Sequence, residues 1–175
     1  MRYPWYDVFG ATEKLQQGDF IKDLPIFFPQ IPKNEGEYPA DILTYDVIIL
    51  SQSCDLEWKK TKTVLICPYK PYSEFVKENT NYGSKDAKKA LSESNAIAFH
   101  LLEKCKIEGF IHDFLIVDFR HTFSVPLYFL EYHAKKSETR LRLLPPYREQ
   151  LSQNFARFFM RVGLPNNIEG FVPEK

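Results

Sequence analysis

The sequence predicts an α+β fold. Three observations carry this expectation: residues 45–50 are, apart from Asp46, apolar and rich in β-branched side chains on both alternating faces, residues 114–125 alternate with a period of two, and the stretches after Ser84 and Pro146 carry apolar residues at helical spacing. A chain of 175 residues and 20.6 kDa has room for one domain with a substantial core. With 44% hydrophobic residues it buries enough apolar surface to exclude disorder as its general state. Twenty-three basic residues balance 23 acidic ones, so no global charge attracts nucleic acid or an anionic membrane. Neither a signal peptide nor a membrane span is predicted, because Pro25, Pro29 and Pro32 interrupt the early apolar stretch; a cytoplasmic protein with no membrane partner is expected. Cys54, Cys67 and Cys105 are odd in number and form no C-x-x-C pair, which argues against a disulfide framework and a common structural zinc site.

The elements follow in order. Gly18-Asp19 supplies turn chemistry before a short strand at about 19–23, and residues 29–39 lack either period and read as an exposed loop. The run 45–50 is apolar on both alternating faces, as a strand covered on both sides is. A second strand at 63–67 follows a link containing Lys59, Lys60 and Lys62, which gives a hairpin with a solvated tip. Ser84 caps a helix with Ala87, Ala90, Leu91, Ser94 and Ala98 on one face; the period then permits a strand at 96–102, with the helix ending first. From 114 to 125 one face reads Leu115, Val117, Phe119, His121, Phe123 and Val125, while the other turns from Phe114 and Ile116 to Asp118, Arg120, Thr122 and Ser124. After Pro126 residues 127–132 read as extended. Pro145-Pro146 opens a final helix over 146–162 with Tyr147, Leu151, Phe155, Phe158, Phe159 and Val162 at helical spacing, and Gly163 ends it.

Four signals recur in order: Gly18-Asp19 before a strand, a strand 47–51 ending in Leu50-Ser51, a strand 64–68 ending in Cys67-Pro68, and a strand 117–123 containing Val117-Asp118 and Arg120. This order resembles the MazF and PemK family of toxin-type small β-barrels over about residues 18–130. The resemblance implies an SH3-like, strongly bent antiparallel barrel of five or six strands drawn from 18–70 and 96–132. A helical insertion at 71–95 and a C-terminal helix at 146–162 closing an open side complete it. That family cuts RNA with a basic residue just before its second strand and a hydroxyl residue just after its third. Here Tyr45-Asp46 and Pro68-Tyr69-Lys70 occupy those places, so the resemblance implies the scaffold without the activity.

Two groups of residues are candidates for chemistry. Cys54, with Asp55 beside it, ends the polar stretch after a buried strand and would serve as a nucleophile if His100 or His121 lowered its thiol pKa. Asp118 and Arg120 share a strand face, where the Arg fork suits a phosphate or carboxylate of a substrate. The ordinary readings are a core sulfur, a turn carboxylate, a hydrogen-bonded core histidine and a same-face ion pair. The cysteines with His100, His112 or His121 have ligand chemistry for zinc, but their spacing matches no known finger, so no metal or cofactor is expected.

Charge is uneven along the chain. Residues 134–161 hold Lys135, Lys136, Arg140, Arg142, Arg148, Arg157 and Arg161 against only Glu138 and Glu149. Five of these are arginines, and on the last helix Arg148, Arg157 and Arg161 beside Tyr147 and Phe158 suit phosphate contact and base stacking; a solvated helix face or pairing with the acidic first 50 residues is the alternative. The function expected is a noncatalytic, prokaryotic cytosolic module that contacts RNA, DNA or a partner protein through this basic region. A Cys54-dependent enzyme and a structural adaptor docking by its last helix are the other two classes.

Overall fold

The computed structural model describes residues 3–160. The chain opens with β1 (Tyr6–Gly10) and then forms a long hairpin of β2 (Phe20–Pro29) and β3 (Ala40–Ile49). A short helix, α1 (Ser53–Glu57), leads to β4 (Thr63–Pro71), followed by α2 (Tyr72–Glu78) and α3 (Lys85–Ser92). Then come β5 (Phe99–Leu102), β6 (Leu115–Asp118), β7 (Phe123–Pro126), α4 (Leu127–Ala134), β8 (Thr139–Leu143) and α5 (Tyr147–Phe159).

The main sheet is antiparallel in the order β2-β3-β4-β6-β5, and β7 pairs with the first half of β4. Its centre is buried on both faces, as the apolar run 45–50 predicts. Val47 and Ile49 join Val64, Ile66 and Leu130 of α4 in one core layer, while Ile48 and Leu50 join Val117, Phe119 and Leu151 of α5 in another. A smaller cluster sets Phe75 of α2 and Leu91 of α3 against Phe99 and Ile116. Ser84 caps α3 by accepting a hydrogen bond from the amide of Ala87.

The strands do not close into the expected barrel. β1 and β8 form a separate two-stranded ribbon, joined to the start of β2 by a bridge between Asp19 and Arg142 and by the Leu143 amide donating to the Gly18 carbonyl at 2.9 Å. At the other edge β5 is only four residues long, and no ladder among the described residues joins it to β1. A side chain spans the gap instead, with Tyr6 Oη donating to the Glu103 carbonyl at 2.6 Å. Gly18 makes the β2–β8 approach possible: its φ is +84°, and a Cβ there would lie 3.0 Å from the Leu143 carbonyl oxygen.

Three further expectations are corrected. The single strand over 114–125 is interrupted by a tight 3-10 turn at Phe119–His121, which gives the β6–β7 side three more residues than β4 between the Tyr69–Val117 and Ile66–Phe123 pairs. Residues 127–132 are helical rather than extended, because Leu127, Leu130 and Ala134 fall on one buried face. β1 and β8 were not foreseen as strands; in β8 the period of two is written by Leu141 and Leu143 alternating with arginines. The end of the last helix beyond residue 160 and its Gly163 stop lie outside the described residues.

Candidate functional site

The basic region divides when folded. Strand alternation sends Arg140 and Arg142 to the same face of β8, where both are 4% exposed and both grip Asp19, which is 0% exposed. Arg140 Nε donates to Asp19 Oδ2 at 2.7 Å, and its Nη atoms donate to the carbonyls of Gly10, Glu13 and Lys14 at 2.8–2.9 Å. Arg142 pairs with both carboxylate oxygens of Asp19, donates to the Lys14 carbonyl at 2.9 Å, and stacks on Phe9 with its guanidinium 4.0 Å from the ring centre. Their expected role in nucleic-acid contact is therefore corrected: these are core cations that tie the 10–14 turn, β2 and β8 together. Of the others, Arg148 is held by its neighbour Glu149 at 2.7 Å, Arg157 is exposed on α5, and Arg161 lies outside the described residues.

Nor do the residues weighed for catalysis gather at one point. Cys54 is exposed on α1, its thiol 3.7 Å from Gln52 Oε1 and 3.8 Å from Asp55 Oδ1. It lines a shallow polar groove with Gln17, Gln52, Ser53, Arg148, Ser152 and Gln153, and neither His100, Asp118 nor Arg120 borders that groove. Asp55 sits on α1, where its backbone carbonyl accepts from the Lys60 amide at 2.9 Å.

His100 is 2% exposed beneath α5 and stacks on Phe119. Asn154 Nδ2 lies 2.7 Å from its Nδ1. Burial drives its pKa down to about 4, so the ring is neutral at pH 7. Its Nε2 has no hydrogen-bond partner among the described residues. The core-histidine reading made for His121 is corrected: His100 is the buried one, while the His121 side chain is 62% exposed beside Asp118.

Asp118 and Arg120 do meet, across the 3-10 turn instead of along a strand face. Arg120 Nε and Nη2 donate to the two carboxylate oxygens at 2.9 and 2.7 Å, the Arg120 amide adds a third bond at 3.0 Å, and His121 Nδ1 lies at 3.1 Å. Burial alone would raise the pKa of Asp118, but the hydrogen bonds and charge of Arg120, with His121, hold the carboxyl below its usual range. Arg120 also lies over the Phe99 ring at 4.6 Å. The carboxylate is taken up by Arg120 and His121, while the Arg120 side chain itself is 46% exposed.

Cys67 points its thiol at the Asp118 carbonyl, 2.9 Å away, and burial reinforced by the Asp118 charge pushes that thiol far up. Cys105 is buried too. Among the described residues no three His, Cys, Asp or Glu side chains gather as metal ligands, and no helix is long and apolar enough to cross a membrane.

The structure presents a site that sequence reasoning missed. A cleft of about 210 Å³ opens between β2, the end of β4, β8 and the 109–112 turn, with Phe20, Lys22, Tyr69, His112, His133 and Leu141 among its walls. His112 and His133 are 21 positions apart in sequence, and Lys22 and Tyr69 lie on different strands, so no spacing in the chain announces them. No protein-family model matches the chain, and no curated protein matches its sequence.

Proposed function

We propose that the protein is a noncatalytic cytosolic contact module, related in its order of strands to the toxin-type barrels, that meets a partner protein along the outer side of α5. The burial of Arg140 and Arg142 against Asp19 carries this reading. It removes two of the arginines that would have made the region a phosphate-binding surface. Outward on α5 are Glu149, Gln150, Gln153, Ala156, Arg157 and Phe159, with Met160 at its end; Phe159 and Met160 are 64% and 78% exposed. A face of mixed charge with amide and apolar groups suits a protein interface, where Arg, Met and aromatic residues are enriched. The Cys54 groove adjoins α5 through Arg148, Ser152 and Gln153 and widens the same surface with hydroxyls and amides.

A photoreactive residue placed at Gln153 or Arg157 should capture one partner from a lysate of the source cells. The same residue at Tyr128 on α4, also exposed, should not, and Phe159→Asp should abolish capture. Equal capture from α4 and α5, or capture indifferent to Phe159→Asp, would overturn the proposal. Exposed Arg157 supports a second reading in which α5 contacts RNA or DNA. In that case a single-stranded oligonucleotide binds at low salt, weakens as salt rises and is lost in Arg157→Glu.

A further inference from the structure

The cleft beside β2 has polar chemistry that the contact surface on α5 does not use. Its two histidines have fixed tautomers. His112 Nδ1 lies 2.7 Å from the Asp113 carbonyl, and His133 Nε2 lies 2.9 Å from the Lys22 carbonyl. A carbonyl oxygen only accepts, so each of those nitrogens carries the hydrogen, and the opposite nitrogens, His112 Nε2 and His133 Nδ1, hold bare lone pairs. Neither has a hydrogen-bond partner among the described residues. Burial, with the Lys22 charge behind it, lowers the pKa of His112 and keeps that ring neutral at pH 7. Asp46 adds a third acceptor to the wall. Burial and the carboxylates of Asp46 and Asp23 raise the pKa of Tyr69, so its hydroxyl stays protonated and donates. The remaining walls are flat or apolar: Phe20 meets Tyr69 edge to face with ring centres 5.0 Å apart, and Phe110, Leu115 and Leu141 continue the surface.

We propose that this cleft binds a flat heteroaromatic ring bearing an amino group beside a ring-nitrogen acceptor, the edge that adenine and cytosine present. The amino group donates to the imidazole lone pairs or Asp46, the Tyr69 hydroxyl donates to the ring nitrogen, and the ring lies against the aromatic walls. The cleft encloses about 210 Å³, room for a single ring with the rest of the ligand outside. Lys22 and Asp46 both line the cleft with opposite charge, which favours an uncharged ring over a bare anion. Both lone-pair nitrogens are sealed from solvent in this conformation, so Asp46 is the acceptor the ring meets first and His112 Nε2 is reached by an outward shift of the 107–112 turn. In that turn the Phe110 amide bonds the Ile107 carbonyl and Gly109 holds a φ of +81°.

Calorimetric titration of the full chain with adenosine, cytidine, inosine and uridine tests this, with short single-stranded oligo-A and oligo-U as the second source of the same chemistry. Adenosine or cytidine should bind at least about tenfold more tightly than its keto counterpart, the factor one hydrogen bond confers. Tyr69→Phe, which keeps the ring packing, should weaken binding by a similar factor, as should His112→Phe if it folds. Tighter binding of oligo-A than of adenosine, with the same dependence on Tyr69, supports the site and assigns its source as a strand. Free nucleoside binding alone supports the site with a small molecule as its source. Equal affinity for amino and keto rings, indifference to Tyr69→Phe, or no heat from any ligand at millimolar concentration would overturn the proposal.

Discussion

His100 gives the most discriminating test of the core beneath α5. Its Nδ1 takes the hydrogen bond from Asn154, and the ring is 2% exposed with its pKa at about 4. In the unfolded chain the same ring titrates near 6.5. As pH falls through 6.5 the unfolded state gains a proton that the folded state refuses. The native state therefore loses stability from about pH 6.5 down to about pH 4, below which both states carry the proton and the loss levels off. The separation between the two pKa values corresponds to roughly 3 kcal/mol in full, of which about 2–3 kcal/mol falls between pH 7 and 4.5. Urea unfolding at intervals across that range, for the wild type and for His100→Phe, reads it out. The Phe variant starts lower at pH 7 because Asn154 loses its partner, by about 1–3 kcal/mol, but its profile should be flatter by the His100 contribution. Parallel profiles for the two proteins, or an NMR titration of His100 near its ordinary pKa, would refute the reasoning.

Two other outcomes follow from the core cations and the thiols. Asp19→Asn leaves Arg140 and Arg142 buried without their shared carboxylate and should destabilise the fold by about 3–5 kcal/mol in chemical denaturation; a loss under 1 kcal/mol would mean the pair is not buried as described. A mild alkylating reagent should label Cys54 in the native protein well before Cys67 and Cys105, on exposure alone. Peptide-mapped rates that put Cys67 or Cys105 level with Cys54 would refute the burial of those two thiols.

The sequence determined the parts of this protein that depend on local order. The apolar residues 47–50 within the run 45–50 require a strand covered on both faces, Ser84 requires the start of a helix, and the spacing of Leu151, Phe155 and Phe158 requires a helix lying on a core; all three are found. The period of two over 114–125 placed β6 and β7 but could not show the turn between them, since a three-residue excursion keeps the apolar residues in an acceptable order. Tertiary structure decided the rest, because the partners lie far apart along the chain. Pairing of the basic stretch with the acidic first 50 residues was legible as an alternative to nucleic-acid contact, but only the fold selects Arg140 and Arg142 for it and sets them on Asp19, more than 120 positions away. Cys54, His100 and Arg120 could converge only if the strands closed, and β5 is too short and turns away too soon for that. The cleft of Lys22, Tyr69, His112 and His133 exists only where three strands, a turn and a helix come together, so its chemistry is carried by no single segment.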